Sequence, residues 1–200
     1  MKVIGLTGGI GTGKSTVSEY MAQKGCLILD ADKISRSMTD KSAPALKTIA
    51  EVFGSEFVDD EGCLNRKALG DLVFNDSEKL AQLQKIITEK VVEDIDLKIK
   101  DLKSKGFKGI IVVDAPLLFE CGMESMHDEN WLVVADLKSR IERVSKRDGL
   151  TEDQILARIN NQMPQDEKEK LSQCIIDNSG TIDSLKEQID FHLERIKNEF

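Results

Sequence analysis

The feature that most constrains this chain is a glycine-rich stretch near its N-terminus, Gly8-Gly9-Ile10-Gly11-Thr12-Gly13-Lys14-Ser15. It satisfies the pattern G-x-x-x-x-G-K-[ST], follows an apolar run that ends at Leu6, and precedes a helical segment from Lys14 to Lys24. Glycines let a backbone wrap around a phosphate with its N–H groups turned inward, and the start of a helix adds positive potential. The pattern therefore predicts a strand, a phosphate-binding loop and a helix, with Lys14 on the β- and γ-phosphates of a nucleotide and the Ser15 hydroxyl on Mg²⁺. A chance glycine-rich turn is the alternative.

Further apolar runs define the fold class. The run from Cys26 to Leu29 completes a strand–helix–strand unit, which requires a parallel sheet covered by helices. Three more runs are typical of buried strands, namely 109–114, 131–134 and 174–177. The sequence therefore predicts an α/β fold.

The pattern between these runs predicts how the chain is divided. From Lys33 to Lys105 it changes to helices with no convincing strand, which indicates an inserted helical lobe. A charged helical pair hinged at Asp148-Gly149 follows later. We expect a nucleotide-binding core at 1–32, 106–136 and 171–200, a helical insert at 33–105 and a lid at 137–170.

Composition excludes several classes of function. The net charge of −8 argues against a sequence-independent nucleic-acid binder, whose affinity comes mainly from Lys and Arg. No apolar run approaches the ~20 residues of a membrane span. The four cysteines form no C-x-x-C pair and, with two isolated histidines, offer no zinc-ligand spacing. We expect a cytoplasmic protein with reduced thiols that binds no nucleic acid, no membrane and no obligate protein partner.

Several classes of protein use a phosphate-binding loop. Guanine recognition usually needs an N-K-x-D element, which does not occur, and the D-x-x-G match at 59–62 follows no apolar strand. A kinase requires an acceptor site beside the γ-phosphate, a proton acceptor and mobile cations. The rest of the sequence favours a kinase over a nucleotide-gated binding protein, in which hydrolysis only switches a partner surface.

Candidate acceptor residues follow the second strand. Asp30 and Asp32 stand where that strand ends, the edge at which α/β sheets bind ligands, and on one strand they would share a face. Asp32 as the N-cap of a helix beginning at Lys33 is the alternative. Arg36 follows one turn later, as a clamp on an acceptor phosphate or as a surface ion pair with Asp32.

The third strand leads into a second group of candidates. Asp114 ends that strand, where enzymes with this loop usually hold Mg²⁺, and a capped strand end is the alternative. Core packing is the simpler interpretation of residues 117–119. Glu120 is consistent with orienting the metal or with a salt bridge inside the insert.

Arginines are concentrated in the charged helical pair. It holds four of the seven in the chain, Arg140, Arg143, Arg147 and Arg158. Guanidinium groups suit phosphate oxygens, and a closing lid would bring them to the transferring group and exclude water. A solvated helical hairpin is the alternative, because acidic residues are interspersed.

Five ordered blocks carry a resemblance to a known family. They are Leu6 to Thr16, Asp30-Ala31-Asp32 with Arg36, Pro116-Leu117-Leu118-Phe119-Glu120, the lid residues Arg143, Arg147 to Thr151 and Arg158 to Gln162, and Ile176-Asp177-Asn178-Ser179-Gly180. In order and spacing these blocks resemble dephospho-CoA kinases over nearly the whole chain. Thr12 stands where that family usually has serine, and Asp114 occupies a position that the family varies.

The resemblance implies a core with a five-stranded parallel sheet, a helical CoA-binding insert and a lid. The expected reaction is ATP plus 3′-dephospho-CoA giving ADP plus CoA, the last step of CoA synthesis, with Mg²⁺ as metal. A kinase for another small acceptor, such as a nucleoside monophosphate, is the nearest alternative.

The resemblance also implies roles for individual residues. Asp32 would accept the proton of the ribose 3′-hydroxyl and Arg36 would hold the acceptor, with Leu117 and Glu120 beside it. The loop from Gly8 to Thr16 would bind ATP together with Arg143 and Arg147. We predict catalytic roles for Asp32, Lys14, Arg143 and Arg147, and metal binding by Ser15 and Asp114.

Overall fold

The predicted apolar runs form the strands of one sheet: β1 (Lys2–Gly8), β2 (Leu27–Asp30), β3 (Ile110–Asp114), β4 (Glu129–Val134) and β5 (Cys174–Asp177). A computed structural model describes residues 1–74 and 76–198 and gives the strand order β2-β3-β1-β4-β5 in a parallel sheet. Strand β1 is central, and its Leu6 lies opposite Asp114 on β3 and Trp131 on β4. The predicted α/β class and five-stranded sheet are confirmed.

Along the sequence, nine helices follow these strands in the described part of the chain: α1 (Lys14–Gln23), α2 (Ala31–Ser37), α3 (Pro44–Phe53), α4 (Arg66–Phe74), α5 (Ser77–Ser104), α6 (Leu137–Asp148), α7 (Glu152–Asn160), α8 (Gln165–Leu171) and α9 (Ile182–Lys197). The amphipathic pattern at the end of the sequence predicts a helix from Thr181 to Phe200. Thr181 caps it, and residues 199–200 lie outside the described residues.

Backbone contacts divide the chain into two compact units. One comprises Met1–Leu29 and Leu102–Phe200, and the other comprises Asp30–Asp101. In the first unit, the central strands pack against α1 and α9 through a cluster that includes Leu6, Met21, Trp131 and Ile189, none of them exposed to solvent. Burying one such aliphatic side chain contributes roughly 1.5–3 kcal/mol, so this cluster fixes the strand from which the glycine-rich loop leaves.

The second unit is helical. Gly54 ends α3, Asn65 accepts a hydrogen bond from Ala68 N, and Asp76 accepts one from Lys79 N just before the long helix. The acidic turn at 59–62 is mostly exposed, and an isolated antiparallel bridge joins Val58 to Leu64 beside it.

The position of Asp32 differs from the expectation. Helix α2 begins at Ala31, and Asp30 is its N-cap, with its carboxylate accepting a hydrogen bond from Lys33 N at 3.0 Å. Asp32 therefore lies in the first helical turn. The predictions that it shares a strand face with Asp30, or caps a helix itself, are wrong, because the helix begins at Ala31, two residues before Lys33.

The helical pair at 137–160 follows its sequence signals closely. Gly149 adopts a left-handed conformation, with φ of 68°, at the end of α6. The spacing of Thr151 and Gln154 is that of a capping box, and the two residues form one at the start of α7. Helix α8 was not singled out from the sequence because it is short and strongly charged.

The four cysteines are free thiols. Burial raises the pKa of Cys26 to about 11 and that of Cys174 to about 12, whereas Cys63 and Cys121 are half-buried. Across residues 1–74 and 76–198, no helix has the length and apolar character needed to cross a membrane. The same residues contain no group of three or more His, Cys, Asp or Glu placed to hold a metal ion.

Candidate active site

The glycine-rich loop joins the central strand to α1. Gly11 and Gly13 have φ values of 80° and 87°, in the left-handed region where a side chain is strained. Gly13 is also the N-cap residue of α1. Two glycines of the pattern are thus required by backbone conformation.

Thr12 closes the loop from inside. Its side chain is 1% exposed, and its Oγ1 donates to Gly9 O at 2.9 Å, while its own N–H reaches the same carbonyl at 3.2 Å. A serine hydroxyl can make the same side-chain bond, which explains why threonine is compatible with the loop.

Side chains from later segments of the chain bind main-chain groups on one side of the loop, which we call its outer face. Arg140 Nε donates to Ile10 O at 2.9 Å, and Gln162 Oε1 accepts from Ile10 N at 2.9 Å. Asn178 Nδ2 donates to Thr12 O at 2.8 Å. These contacts take up both main-chain groups of Ile10 and the Thr12 carbonyl, so the loop is held in one conformation.

Arg143 lies against the same outer face. Its Nη2 donates to Asn178 O at 2.7 Å, and its Nη1 reaches the carbonyl oxygens of Gly11 and Thr12 at 3.5 and 3.4 Å. The predicted lid arginine therefore contacts the loop through carbonyl groups that point outward.

The inner face of the loop is left with free donors. In the part of the chain that the structure describes, the backbone N–H groups of Gly11, Gly13, Lys14 and Ser15 donate no hydrogen bond. Orphan N–H groups at a helix start, together with its dipole, are an anion-binding arrangement. The side chains of Ser15 and Thr16 are exposed beside them.

Lys14, the first residue of α1, forms an ion pair with Asp114, the last residue of β3. The two side chains are only 15% and 10% exposed. The predicted metal ligand is thus the counter-ion of the predicted phosphate-binding lysine. A capped strand end is not what the structure shows for Asp114.

The segment after β3 divides its residues between core and surface. Leu118 and Phe119 are buried, and Leu117 is 46% exposed. Glu120 forms an ion pair with Lys168 at 2.7 Å and accepts a hydrogen bond from Met163 N at 3.2 Å. The partner of Glu120 lies on α8, so the alternative of a salt bridge inside the insert is wrong.

Arg147 projects from the end of α6 and is paired locally. Its Nε and Nη2 donate to the two carboxylate oxygens of Asp148 at 2.7 and 2.9 Å, and this pairing lowers the pKa of Asp148. The arginine side chain is 63% exposed. Solvent screens such an exposed pair, so Asp148 holds Arg147 only weakly.

The second unit carries the predicted acceptor residues on α2. Asp32 and Arg36 are both exposed, and neither side chain forms a hydrogen bond or ion pair with any residue in the described ranges. The alternative of a surface ion pair between them is not formed. Both groups are available to a ligand.

Four loop-supporting residues were not identified as site residues from the sequence: Arg140, Gln162, Lys168 and Asn178. Signals existed for three of them. Arg140 belongs to the arginine-rich segment, and Gln162 and Asn178 lie in blocks that carry the family resemblance. Lys168 gives no signal, because a lysine in a charged helix is ordinarily exposed.

Comparisons with known proteins agree with this geometry. The family model described as dephospho-CoA kinase matches residues 2–184. A dephospho-CoA kinase from Carboxydothermus hydrogenoformans is 43% identical over 197 residues, which cover 98% of this chain and 95% of the relative.

Solved structures give the same result. A crystal structure of a Thermus thermophilus protein matches with a TM-score of 0.74 and 33% identity, covering 98% of this chain and 97% of the other. A dephospho-CoA kinase from Campylobacter jejuni matches with a TM-score of 0.71 and 26% identity, covering 99% and 98% of the two chains. With a family-model match over most of its length and a relative above two-fifths identity, this chain belongs to the dephospho-CoA kinase family.

Proposed function

We propose that this protein transfers the γ-phosphoryl group of ATP to the ribose 3′-hydroxyl of dephospho-CoA, giving coenzyme A and ADP. The observation that carries the proposal is the loop of unpaired N–H groups around Lys14, in a chain of this family. Family membership also supports the last step of CoA synthesis as its role and the cytoplasm as its location.

The donor site is assigned to the loop and the lid arginines. The unpaired N–H groups at residues 11–15 would bind the phosphates, and Lys14 would exchange Asp114 for the β- and γ-phosphate oxygens. Arg143 and Arg147 would neutralise charge on the transferring group, Arg147 after release from Asp148. Phosphoryl transfer depends mainly on such positioning and charge stabilisation.

Magnesium fits the residues at the loop. The exposed Ser15 hydroxyl and the Asp114 carboxylate are the oxygen ligands that this ion prefers, with ATP and water supplying the rest. The ion would neutralise the negative charge of the donor phosphates when bound. Asp114 becomes available for this role only when Lys14 has moved to the nucleotide.

The acceptor site is assigned to Asp32, Arg36, Leu117 and Glu120. Asp32 would take the proton of the attacking hydroxyl, and its lack of a competing partner among the described residues supports this role. Arg36 would bind the acceptor phosphate. Leu117 offers an exposed apolar side chain, whereas Glu120 would have to act beside its ion pair with Lys168.

The proposal is tested by acceptor choice. Purified protein is incubated with Mg-ATP labelled in the γ-phosphate and either dephospho-CoA or a panel of nucleoside monophosphates, and the label is followed into product. We expect transfer to dephospho-CoA. Preferential labelling of a nucleotide would assign the protein to a nucleoside monophosphate-type kinase, and hydrolysis with no labelled acceptor would favour a nucleotide-gated binding protein.

A further inference from the structure

Two side chains hold the main chain of Ile10 from opposite sides. Gln162 accepts from its N–H and Arg140 donates to its carbonyl, each at 2.9 Å, and these bonds span 152 and 130 residues of sequence. Together they fix the peptide groups on both sides of Ile10. The next N–H along the loop is that of Gly11, which donates no hydrogen bond to any described residue.

Gly9 records how closely these side chains approach. The motif leaves this position free, and Gly9 has no positive φ, so backbone conformation does not require glycine here. A Cβ at this position would lie 2.8 Å from Arg140 Nη2 and 3.3 Å from Gln162 Oε1. A side chain at position 9 would have to displace the ends of Arg140 and Gln162, so the glycine allows both side chains to lie close against the loop.

The two side chains contact the loop through hydrogen bonds, and the space beside this contact is not completely filled. A cavity of about 180 Å³ adjoins it, lined by residues that include Gly9, Arg140, Gln162 and Lys168. The loop therefore has room to shift on this side when a hydrogen bond is lost.

The turn that carries Gln162 is itself anchored by a buried charge. Lys168 is 2% exposed, and its ammonium lies 2.7 Å from Glu120 Oε1. The same oxygen accepts from Met163 N, the residue after Gln162. Because a buried ammonium strongly requires a counter-charge, Lys168 holds Glu120, and Glu120 holds the turn.

We propose that Gln162 and Arg140 are positioning residues for the phosphoryl donor, and that the Glu120–Lys168 pair positions Gln162. They set the conformation in which the loop presents its free N–H groups, without touching the nucleotide. The inference rests on the proposed function only in taking ATP as the ligand of the loop.

The test replaces Gln162 by methionine, which has a similar shape and no strong acceptor. The matched control is Gln165→Met on the next helix, where the glutamine donates only to Glu169. Titration with Mg²⁺ and a non-hydrolysable ATP analogue should show a dissociation constant about tenfold weaker for Gln162→Met than for the control, as expected for one lost hydrogen bond. The KM for dephospho-CoA should be unchanged.

Hydrogen exchange at the Ile10 amide gives a readout that does not depend on activity. We expect it to accelerate about tenfold in Gln162→Met, and equal exchange and equal nucleotide affinity in the two variants would overturn the proposal. If wild-type protein binds the analogue but phosphorylates no dephospho-CoA, the proposed function fails, and the comparison of variants still decides the inference.

Glu120→Gln tests the anchoring step separately. The change keeps an acceptor for Met163 N and removes the charge that pairs with Lys168. An anchoring role predicts weaker binding of the ATP analogue, with an effect that is less than additive with Gln162→Met. If Glu120→Gln binds the ATP analogue as tightly as the wild type, the anchoring step is overturned, and a rise in the KM for dephospho-CoA would then leave Glu120 with its acceptor role alone. Lys168→Met repeats the test from the other side of the pair.

Discussion

The glycine-rich loop and the start of α2 hold the predicted site residues in opposite ways. Around the loop, Thr12, Arg140, Gln162 and Asn178 fix the main chain by hydrogen bonds, and Lys14 already has a counter-ion. On α2, Asp32 is exposed and unbonded among the described residues. The main chain of the proposed donor site is thus fixed by contacts within the protein, whereas the proposed acceptor residue Asp32 makes no side-chain contact of this kind among the described residues. Substitutions at the two places should separate kinetic from structural effects.

Replacing Asp32 by asparagine should have the largest kinetic effect. A positioned base contributes ~10²–10⁴-fold, so turnover should fall by that range while ATP affinity and melting temperature stay at wild-type values. The measurement is steady-state kinetics with both substrates, beside thermal unfolding. Asp71→Asn, another exposed aspartate of the same unit, serves as control. Full turnover in Asp32→Asn would show that Asp32 is not the catalytic base.

Replacing Lys14 by methionine should lower both the turnover and the melting temperature. Loss of one charge-stabilising donor typically costs ~10²–10³-fold in turnover. Asp114 would also be left buried without its counter-ion, so the melting temperature should fall. Kinetics and calorimetry on the variant, with Lys138→Met as an exposed control, check both effects. An unchanged melting temperature would mean that the ion pair does not support the fold.

Asn178→Ala should act mainly on nucleotide binding. Its side chain is 7% exposed, and it supports both the Thr12 carbonyl and the Gly13 region. We expect the KM for ATP to rise roughly tenfold and the unfolding free energy to fall by about 1–2 kcal/mol. Denaturant titration and kinetics measure these values. If the unfolding free energy falls and the KM for ATP does not change, the contacts on the outer face of the loop do not affect nucleotide binding on the inner face.

Thr12→Val and Thr12→Ser form a matched pair with a smaller effect. Valine keeps the shape and removes the bond to Gly9 O, so it should lose about 1 kcal/mol of stability and weaken ATP binding severalfold. Serine keeps the hydroxyl and should resemble the wild type. Equal behaviour of the two variants would contradict a role for the hydroxyl.

Glu129, a carboxylate remote from the loop, should affect the pH dependence of stability without affecting nucleotide binding. Arg195 binds Glu129 through both oxygens, at 2.7 and 2.6 Å, and with a bond from Trp131 this lowers the pKa of Glu129 below its ordinary 4.5. The stabilisation is present above pH 4.5 and is lost as the pH falls through the folded-state value. Glu129→Gln should flatten the acid limb of the stability curve without changing ATP affinity. Unfolding titrations from pH 6 downward, on both proteins, test the sign.

The sequence predicts elements better than it predicts contacts between distant segments. The motif, the apolar runs and the caps at Asn65, Asp76 and Thr151 are local signals, and each appears in the structure. The position of Asp32 is not predicted correctly, because the local sequence cannot show which of the two nearby aspartates, Asp30 or Asp32, ends the strand. The contacts of Gln162 and Lys168 depend on how α7 and α8 pack, which no local pattern encodes.

The thiols offer a practical consequence. Cys26 and Cys174 are buried and poorly ionised, so maleimide dyes should leave them largely intact. Of the two half-buried thiols, Cys121 has its pKa raised by burial, so Cys63 should react first. The wild-type chain thus already carries a preferred labelling position in its helical unit, and a dye can be attached there without engineering a cysteine.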